Sequence, residues 1–292
     1  VIRLALRVPC AEAELVLAAL LELAPAGVEE SLLDGGQTVE YAIYGAPGEL
    51  PALPDLTAAV GGALVEIATS ELADDWSERW KEFHRPVLIE APGPEVPSLR
   101  IRPPWEPAAP PEPGLEEIVI DPGQAFGTGG HASTRLCVSL MLELAASDPR
   151  RGPVLDIGTG SGVLSIAAGK LGYGPLLGLD NELESVSAAA GNAAANDVHL
   201  GARRFDLRHQ ELPWRSPSER PAGPLLITAN LLRPLLLELA RTLPGEPAAL
   251  IAGGLLCEEA DEVSRALCAG AGLSERRRVQ EGEWAALLLG PR

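Results

Sequence analysis

The chain has 292 residues, enough for two domains each with a core of its own. Hydrophobic residues make up 46% of it and aromatics only 4%, so the cores are expected to be built from Leu, Val, Ile and Ala. A net charge of −18 argues against a bare nucleic acid as direct partner, because phosphate binding needs concentrated positive charge.

Residues 1–70 read as strand (Ile2–Val8), helix (Ala11–Leu23), strand (Gly27–Leu33), strand (Thr38–Tyr44), helix (Leu50–Val60) and strand (Ala63–Ala68). Gly35-Gly36 supplies the hairpin turn between the second and third strands. This order predicts a small βαββαβ domain of the ferredoxin-like type, which carries no chemical constellation and is expected to recognise a substrate. Residues 71–115 read as a linker. A short helix over Asp74–His84 would place Trp76, Trp80 and Phe83 on one face, either to dock on a neighbouring domain or to wall a substrate site. Pro103-Pro104, Pro107 and Pro110-Pro111 follow, a run unsuited to regular structure. From residue 116 to 292 strand and helix alternate, which implies an α/β domain with a mostly parallel sheet.

Two motifs in that last part carry chemistry. The first, Asp121-Pro-Gly-Gln-Ala-Phe-Gly-Thr-Gly-Gly-His-Ala-Ser-Thr134, lies between the strand Glu117–Ile120 and an apolar helix over Arg135–Ala145. Its glycines and hydroxyls suit a loop that approaches a ligand and then caps a helix. Phe126 in so polar a loop either lies against a flat ligand or anchors the loop in the core. The second is Val154-Leu-Asp-Ile-Gly-Thr-Gly-Ser-Gly162, a buried strand running into a glycine turn and a helix from Ser161. The next apolar strand, Leu176–Leu179, ends in Asp180. A strand, glycine turn, helix, strand and terminal acid form the unit that holds a nucleoside, the acid accepting hydrogen bonds from ribose hydroxyls. A dinucleotide fingerprint would need a small residue at Val163 or Ser165, and neither frame fits well. A P-loop would need Gly-Lys-Ser/Thr, whereas Gly162 is followed by Val163 and Leu164.

The G-x-G-x-G turn preceded by Asp156 resembles motif I of the class I methyltransferases, which bind S-adenosyl-L-methionine. The Asp121–Thr134 loop resembles the D-P-x-x-A-F-G-T-G-x-H-x-T-T signature of the ribosomal protein methyltransferases that modify protein eleven of the large subunit. The likeness extends over essentially the whole chain. It includes the Trp-rich linker helix, Asn192-Ala-Ala-Ala-Asn196 (similar to N-A-x-x-N), Ala229-Asn-Leu-Leu232 (similar to A-N-I-L) and Glu283-Trp284. The chain departs from the pattern at Gly130, Ala132, Ser133 and Arg233, which bears on loop rigidity more than on cofactor binding.

The resemblance implies a seven-stranded, Rossmann-like methyltransferase domain behind the ferredoxin-like one. It also implies transfer of methyl groups to lysine side chains, and to the N-terminal amine, of that ribosomal protein. Thr134, Gly158, Gly160, Asp180 and Asn230 are carried over as cofactor contacts. The residues themselves agree: Asp180 suits a ribose diol, Gly158 lets the backbone approach a ligand, and Thr134 begins a helix, where a carboxylate binds well. Asn230 closes the strand Leu225–Thr228 at the open edge of the sheet and offers both donors and an acceptor to an incoming amine. Asn230 is therefore the main catalytic candidate, with His131 and Phe126 as further ones and no metal. The alternatives are a lysine methyltransferase for another protein or a non-catalytic cofactor-binding protein. A glutamine or nucleobase methyltransferase would show Asn/Asp-Pro-Pro-Tyr/Phe, where this chain has Asn230-Leu-Leu-Arg233.

Cys10, Cys137, Cys257 and Cys268 form no C-x-x-C pair and the histidines do not cluster, so neither a zinc site nor a disulfide framework is expected. Pro and charged residues interrupt every apolar run, and no leader segment is visible; a cytoplasmic protein without membrane contact is expected.

Overall fold

The computed structural model describes residues 2–10, 13, 16, 20, 29–33, 37–45, 66–71, 84–122, 129–214, 218–243 and 247–292. The chain divides into two compact units, Val1–Phe83 and His84–Arg292. In the first, β1 (Ile2–Pro9), β2 (Glu29–Leu33), β3 (Thr38–Gly45) and β4 (Glu66–Glu71) form an antiparallel sheet in the order β2-β3-β1-β4. This is the strand order of a ferredoxin-like βαββαβ domain. The fourth strand lies three residues further along than its apolar run suggested, because pairing with Ile2–Arg7 of β1 sets its register. Ala13, Val16 and Leu20 are helical and buried, at the spacing of one helix face. The remainder of that helix, the Leu50–Val60 helix and the Trp76, Trp80 and Phe83 face lie outside the described residues.

The second unit starts with a three-stranded sheet of β5 (Val87–Ile89), β6 (Ser98–Arg102) and β7 (Leu115–Val119). Two of these strands fall inside the 71–115 stretch read as connection, and the reading is corrected there. The alternation in Ser98-Leu-Arg-Ile-Arg102 puts Leu99 and Ile101 in the core and both arginines outside, a short period-two signal overshadowed by the prolines around it. Arg100 and Arg102 both pair with Glu117 of β7. Burial pushes the Glu117 carboxyl up, but the Ala109 N–H and the two guanidiniums outweigh it and hold it below the ordinary value.

The main sheet has seven strands: β8 (Val154–Ile157), β9 (Leu176–Asp180), β10 (Leu200–Arg204), β11 (Leu226–Asn230), β12 (Ala249–Leu256), β13 (Leu273–Glu281) and β14 (Trp284–Pro291). Their order is β10-β9-β8-β11-β12-β14-β13; β8 to β12 are parallel, and β14 is antiparallel to both its neighbours. Among the described residues, helix α1 (Ala132–Ser147) leads into β8, and α2 (Val163–Lys170), α3 (Leu183–Ala195), α4 (Arg233–Thr242) and α5 (Ala260–Ala271) connect strands.

Alternate residues of the strands feed two cores. Leu226, Ile251 and Leu288 pack on the side of α1 and α2, while Ile227, Leu250, Ala252 and Leu287 pack on the side of α4 and α5. A parallel sheet covered on both faces explains why Val154–Ile157 is buried throughout instead of alternating. Leu140, Met141 and Leu142 of α1 are fully buried, each contributing about 1.5–3 kcal/mol relative to exposure. Strand order reverses between β8 and β11, and in open α/β sheets the crevice beyond the C-terminal ends of the strands at such a switch is where ligands bind.

Candidate active site

The one polar residue of β8 is Asp156, and its buried carboxylate is fully engaged. Thr228 Oγ donates to it at 2.6 Å, Thr159 Oγ at 2.7 Å and Ser165 Oγ at 2.8 Å. Thr228 is its direct cross-strand partner on β11, so one carboxylate ties the switch strands, the turn and α2 together. Burial pushes its proton affinity up and the three hydroxyls only partly oppose that, leaving it above the ordinary value.

The turn after β8 needs left-handed backbone at Gly158 (φ 72°), Gly160 (φ 53°) and Gly162 (φ 82°), which L side chains rarely adopt. The N–H groups of Gly158 and Thr159 both donate to the Leu179 carbonyl, at 2.8 and 3.0 Å. Gly160 N–H donates to Asp180 Oδ2 at 2.9 Å, while Asp180 Oδ1 accepts from Glu182 N–H at 3.1 Å. Among the described residues each Asp180 oxygen thus takes one backbone donor, and each keeps acceptor capacity for a ribose hydroxyl.

Beyond Gly158 and Asp180 opens a cleft walled by Leu179, Phe205, Leu207, Leu231 and Leu235 and bearing Asp180, Asp206 and Arg208 at its polar edge. Apolar side chains beside a few convergent polar groups suit a nucleoside. Phe205, Asp206 and Leu207 were not singled out in the sequence. They follow β10, a sheet edge with no fully buried residue and so a weak apolar pattern; the Phe-Asp pair straight after Arg204 was the available signal. The His209 ring and the Arg208 N–H hold the Asp206 carboxyl below its ordinary value.

On the other side of the switch, Thr134 lies fully buried in the first turn of α1, and Asn230 Nδ2 donates to its hydroxyl at 3.3 Å. Among the described residues, Asn230 Oδ1 is buried and has no partner. Buried carbonyl oxygens are seldom left unpaired, so this one is an acceptor open to a donor. His131 caps α1: its Nδ1 lies 2.8 Å from Ser133 Oγ and accepts from the Ser133 N–H, and its ring packs edge-on against Trp284 at 4.7 Å. Arg135 anchors the same corner by bonding to the Gly130 carbonyl and to Glu281. Phe126 lies outside the described residues. The structure therefore brings Gly158, Gly160 and Asp180 together at one side and Thr134 and Asn230 at the other. The turn and the chain after β11 touch, since a Cβ added to Gly158 would fall 2.3 Å from Leu231 Cδ2.

A sheet with a reversed last hairpin, a glycine turn after its first strand and a ribose-type acid after its second define a class I S-adenosylmethionine-dependent methyltransferase. The sequence model of the family described as "Ribosomal protein L11 methyltransferase (PrmA)" matches residues 54–290, and the chain belongs to that family. The ribosomal protein L11 methyltransferase of Geobacter sulfurreducens is 36% identical over 241 residues, covering 81% of this chain and 73% of the relative. That of Sorangium cellulosum is 33% identical over 275 residues, covering 89% and 80%. Among solved structures, ribosomal protein L11 methylase from Lactobacillus delbrueckii subsp. bulgaricus superposes with a TM-score of 0.55 at 31% identity, over 66% of this chain and 95% of that one. S-adenosylmethionine is the cofactor, and the spare acceptors of Asp180 and the glycine turn fit it. No helix among the described residues is long and apolar enough to cross a membrane.

Proposed function

We propose that the chain methylates amino groups of ribosomal protein L11, lysine side chains and the N-terminal amine, in the cytoplasm and without direct contact with nucleic acid. The names of its relatives support the substrate. The observation that carries the chemistry is the buried, unpartnered Oδ1 of Asn230, next to Thr134 and opposite the nucleoside cleft.

The bound cofactor supplies a methyl group on a sulfonium, open to in-line attack by an amine. The chain must present that amine neutral, and for a free lysine at pH 7.4 this costs about 4 kcal/mol. Removal from water next to Leu231 and the apolar walls lowers the amine's proton affinity. Asn230 Oδ1 accepts an N–H of the amine and so aims its lone pair, which is a positioning effect. Gly158, Gly160 and Asp180 hold the nucleoside end, and Thr134 faces the amino-acid end at the start of α1. His131, tied by Nδ1 to Ser133 and packed on Trp284, shapes the loop end and takes no proton. Residues 1–70 recognise the ribosomal protein, and 116–292 carry the chemistry.

Tritiated S-adenosylmethionine is incubated with purified ribosomal protein L11, with a short lysine peptide, and with a lysate from cells lacking the enzyme. Label on L11 is the expected result; label confined to another lysate protein would replace the substrate. A protein lacking residues 1–70 is expected to bind cofactor normally and to lose transfer to intact L11. Equal rates on L11 would place recognition in the remainder of the chain.

A further inference from the structure

Asn192, in the last turn of helix α3, and Asn196, its C-cap, are both buried. Asparagine is a poor helix-interior residue and a buried amide needs partners, so Asn192 in particular calls for a reason. Asn196 treats Val119 as a neighbouring strand would: its Oδ1 accepts from the Val119 N–H at 2.8 Å and its Nδ2 donates to the Val119 carbonyl at 2.7 Å. Asn192 Oδ1 accepts from the Asp121 N–H at 2.9 Å. The match is geometric, since four helix residues rise about 6 Å and two strand residues about 6.6 Å.

Asn192 differs from Asn196 at its other end. Its Nδ2 donates to the carbonyl of Ser161 at 2.9 Å, inside the glycine turn. The helix also packs closely there: a Cβ on Gly162 would lie 3.1 Å from Ala189 Cα, three residues before Asn192 on the same face. Asp121 is where the signature loop begins, and Thr134 lies beyond the loop's far end, which His131 and Arg135 anchor separately. One amide thus touches both the chain leading into the loop and the turn that faces the nucleoside.

We propose that Asn192 is a positioning residue for cofactor binding, holding the start of the signature loop and the glycine turn in one register, while Asn196 ties the end of α3 to β7 through Val119 and the Asn192 carbonyl. The proposal rests on the S-adenosylmethionine reading of the cleft. It is tested in the full chain with Asn192→Ala, Asn192→Asp and Asn196→Ala. Cofactor affinity is read by calorimetry, kcat and KM on L11 by methyl transfer, and Asp121 amide exchange by mass spectrometry.

Both alanine variants are expected to lower the melting temperature by similar amounts. Asn192→Ala should raise the Kd and KM for S-adenosylmethionine about tenfold with kcat nearly unchanged, and Asn196→Ala should shift Kd less than about twofold. Asn192→Asp keeps the acceptor for Asp121 and loses the donor to Ser161. It should retain slow exchange at Asp121 yet bind the cofactor as weakly as the alanine variant, and it serves as the test should Asn192→Ala not fold. Wild-type affinity in folded Asn192 variants, or equal weakening by Asn196→Ala, would overturn the proposal. A wild-type chain that does not bind S-adenosylmethionine would instead overturn the cofactor reading itself.

Discussion

The two sides of the switch point are built on opposite principles. On the β8–β9 side the chain supplies partners to the polar groups of the turn: Asp156 has three hydroxyls, the Leu179 carbonyl takes two N–H groups, and Gly160 is tied to Asp180. On the β11–α1 side the Asn230 side chain makes one long hydrogen bond and, among the described residues, leaves its buried oxygen unpaired. A saturated network is rigid and already shaped for its ligand, whereas an unsatisfied buried acceptor is stabilised only when a donor arrives. On the function proposed above, the first side is a scaffold for the nucleoside and the second meets the reacting amine.

The largest effect should come from the scaffold. Asp156→Ala strands three buried hydroxyls and opens a cavity, and is expected to lower unfolding stability by about 3 kcal/mol or more, read by urea titration without cofactor. A loss no larger than that of a surface substitution would show the clamp to be incidental. The clamp also has a pH signature. Burial raises the carboxyl's folded-state proton affinity above its unfolded value of 3.8, so its contribution is fully present below that value and lost as pH rises through the folded one. Relative to Asp156→Asn, which does not titrate, the wild type should lose stability as pH rises across that window.

Asn230→Ala should separate activity from stability. Losing the unpaired oxygen and one long hydrogen bond to Thr134 should cost no more than about 1 kcal/mol of stability, while kcat/KM is expected to fall about 100-fold, as for loss of one oriented group at a reacting centre. Unchanged turnover would move the amine site away from β11.

Asp180→Ala should weaken S-adenosylmethionine by roughly 1.5–3 kcal/mol without unfolding the chain, and NAD should bind no better to either protein. Calorimetry with both ligands decides this, and normal binding by the variant would relocate the ribose site.

The smallest effect tests His131. Its loss to Ala removes an N-cap, expected to cost about 1 kcal/mol. His131→Asn restores a capping side chain and should restore the rate, because the imidazole serves as a cap. A rate that stays low in the Asn variant, with the pH profile flattened near neutrality, would make His131 a proton carrier instead.

Much of this site was legible in advance because its signals are local. The glycine turn, Asp180 and the strand that ends in Asn230 each announce themselves within a few residues. The β8 strand begins and ends where its apolar run predicts. Strands β5 and β6 were not legible, being three and five residues long among prolines. Phe205 and Asp206 escaped because an edge strand buries little and so leaves a faint pattern.

The sequence by itself determined the strand–turn–helix–strand unit around Asp156 and Asp180, the turn that only glycine can make and the class of ligand, since these follow from backbone sterics and side-chain chemistry within short windows. Only the tertiary structure decided which polar residues hold that turn in place. Asp156 meets Thr228 across 72 residues, and Asn196 meets Val119 across 77. His131 packs on Trp284, in the last strand of the sheet. Hydrogen bonds between residues so far apart leave no periodic trace, because each partner satisfies its local pattern equally well without the other. Sheet order and helix packing alone bring them within reach.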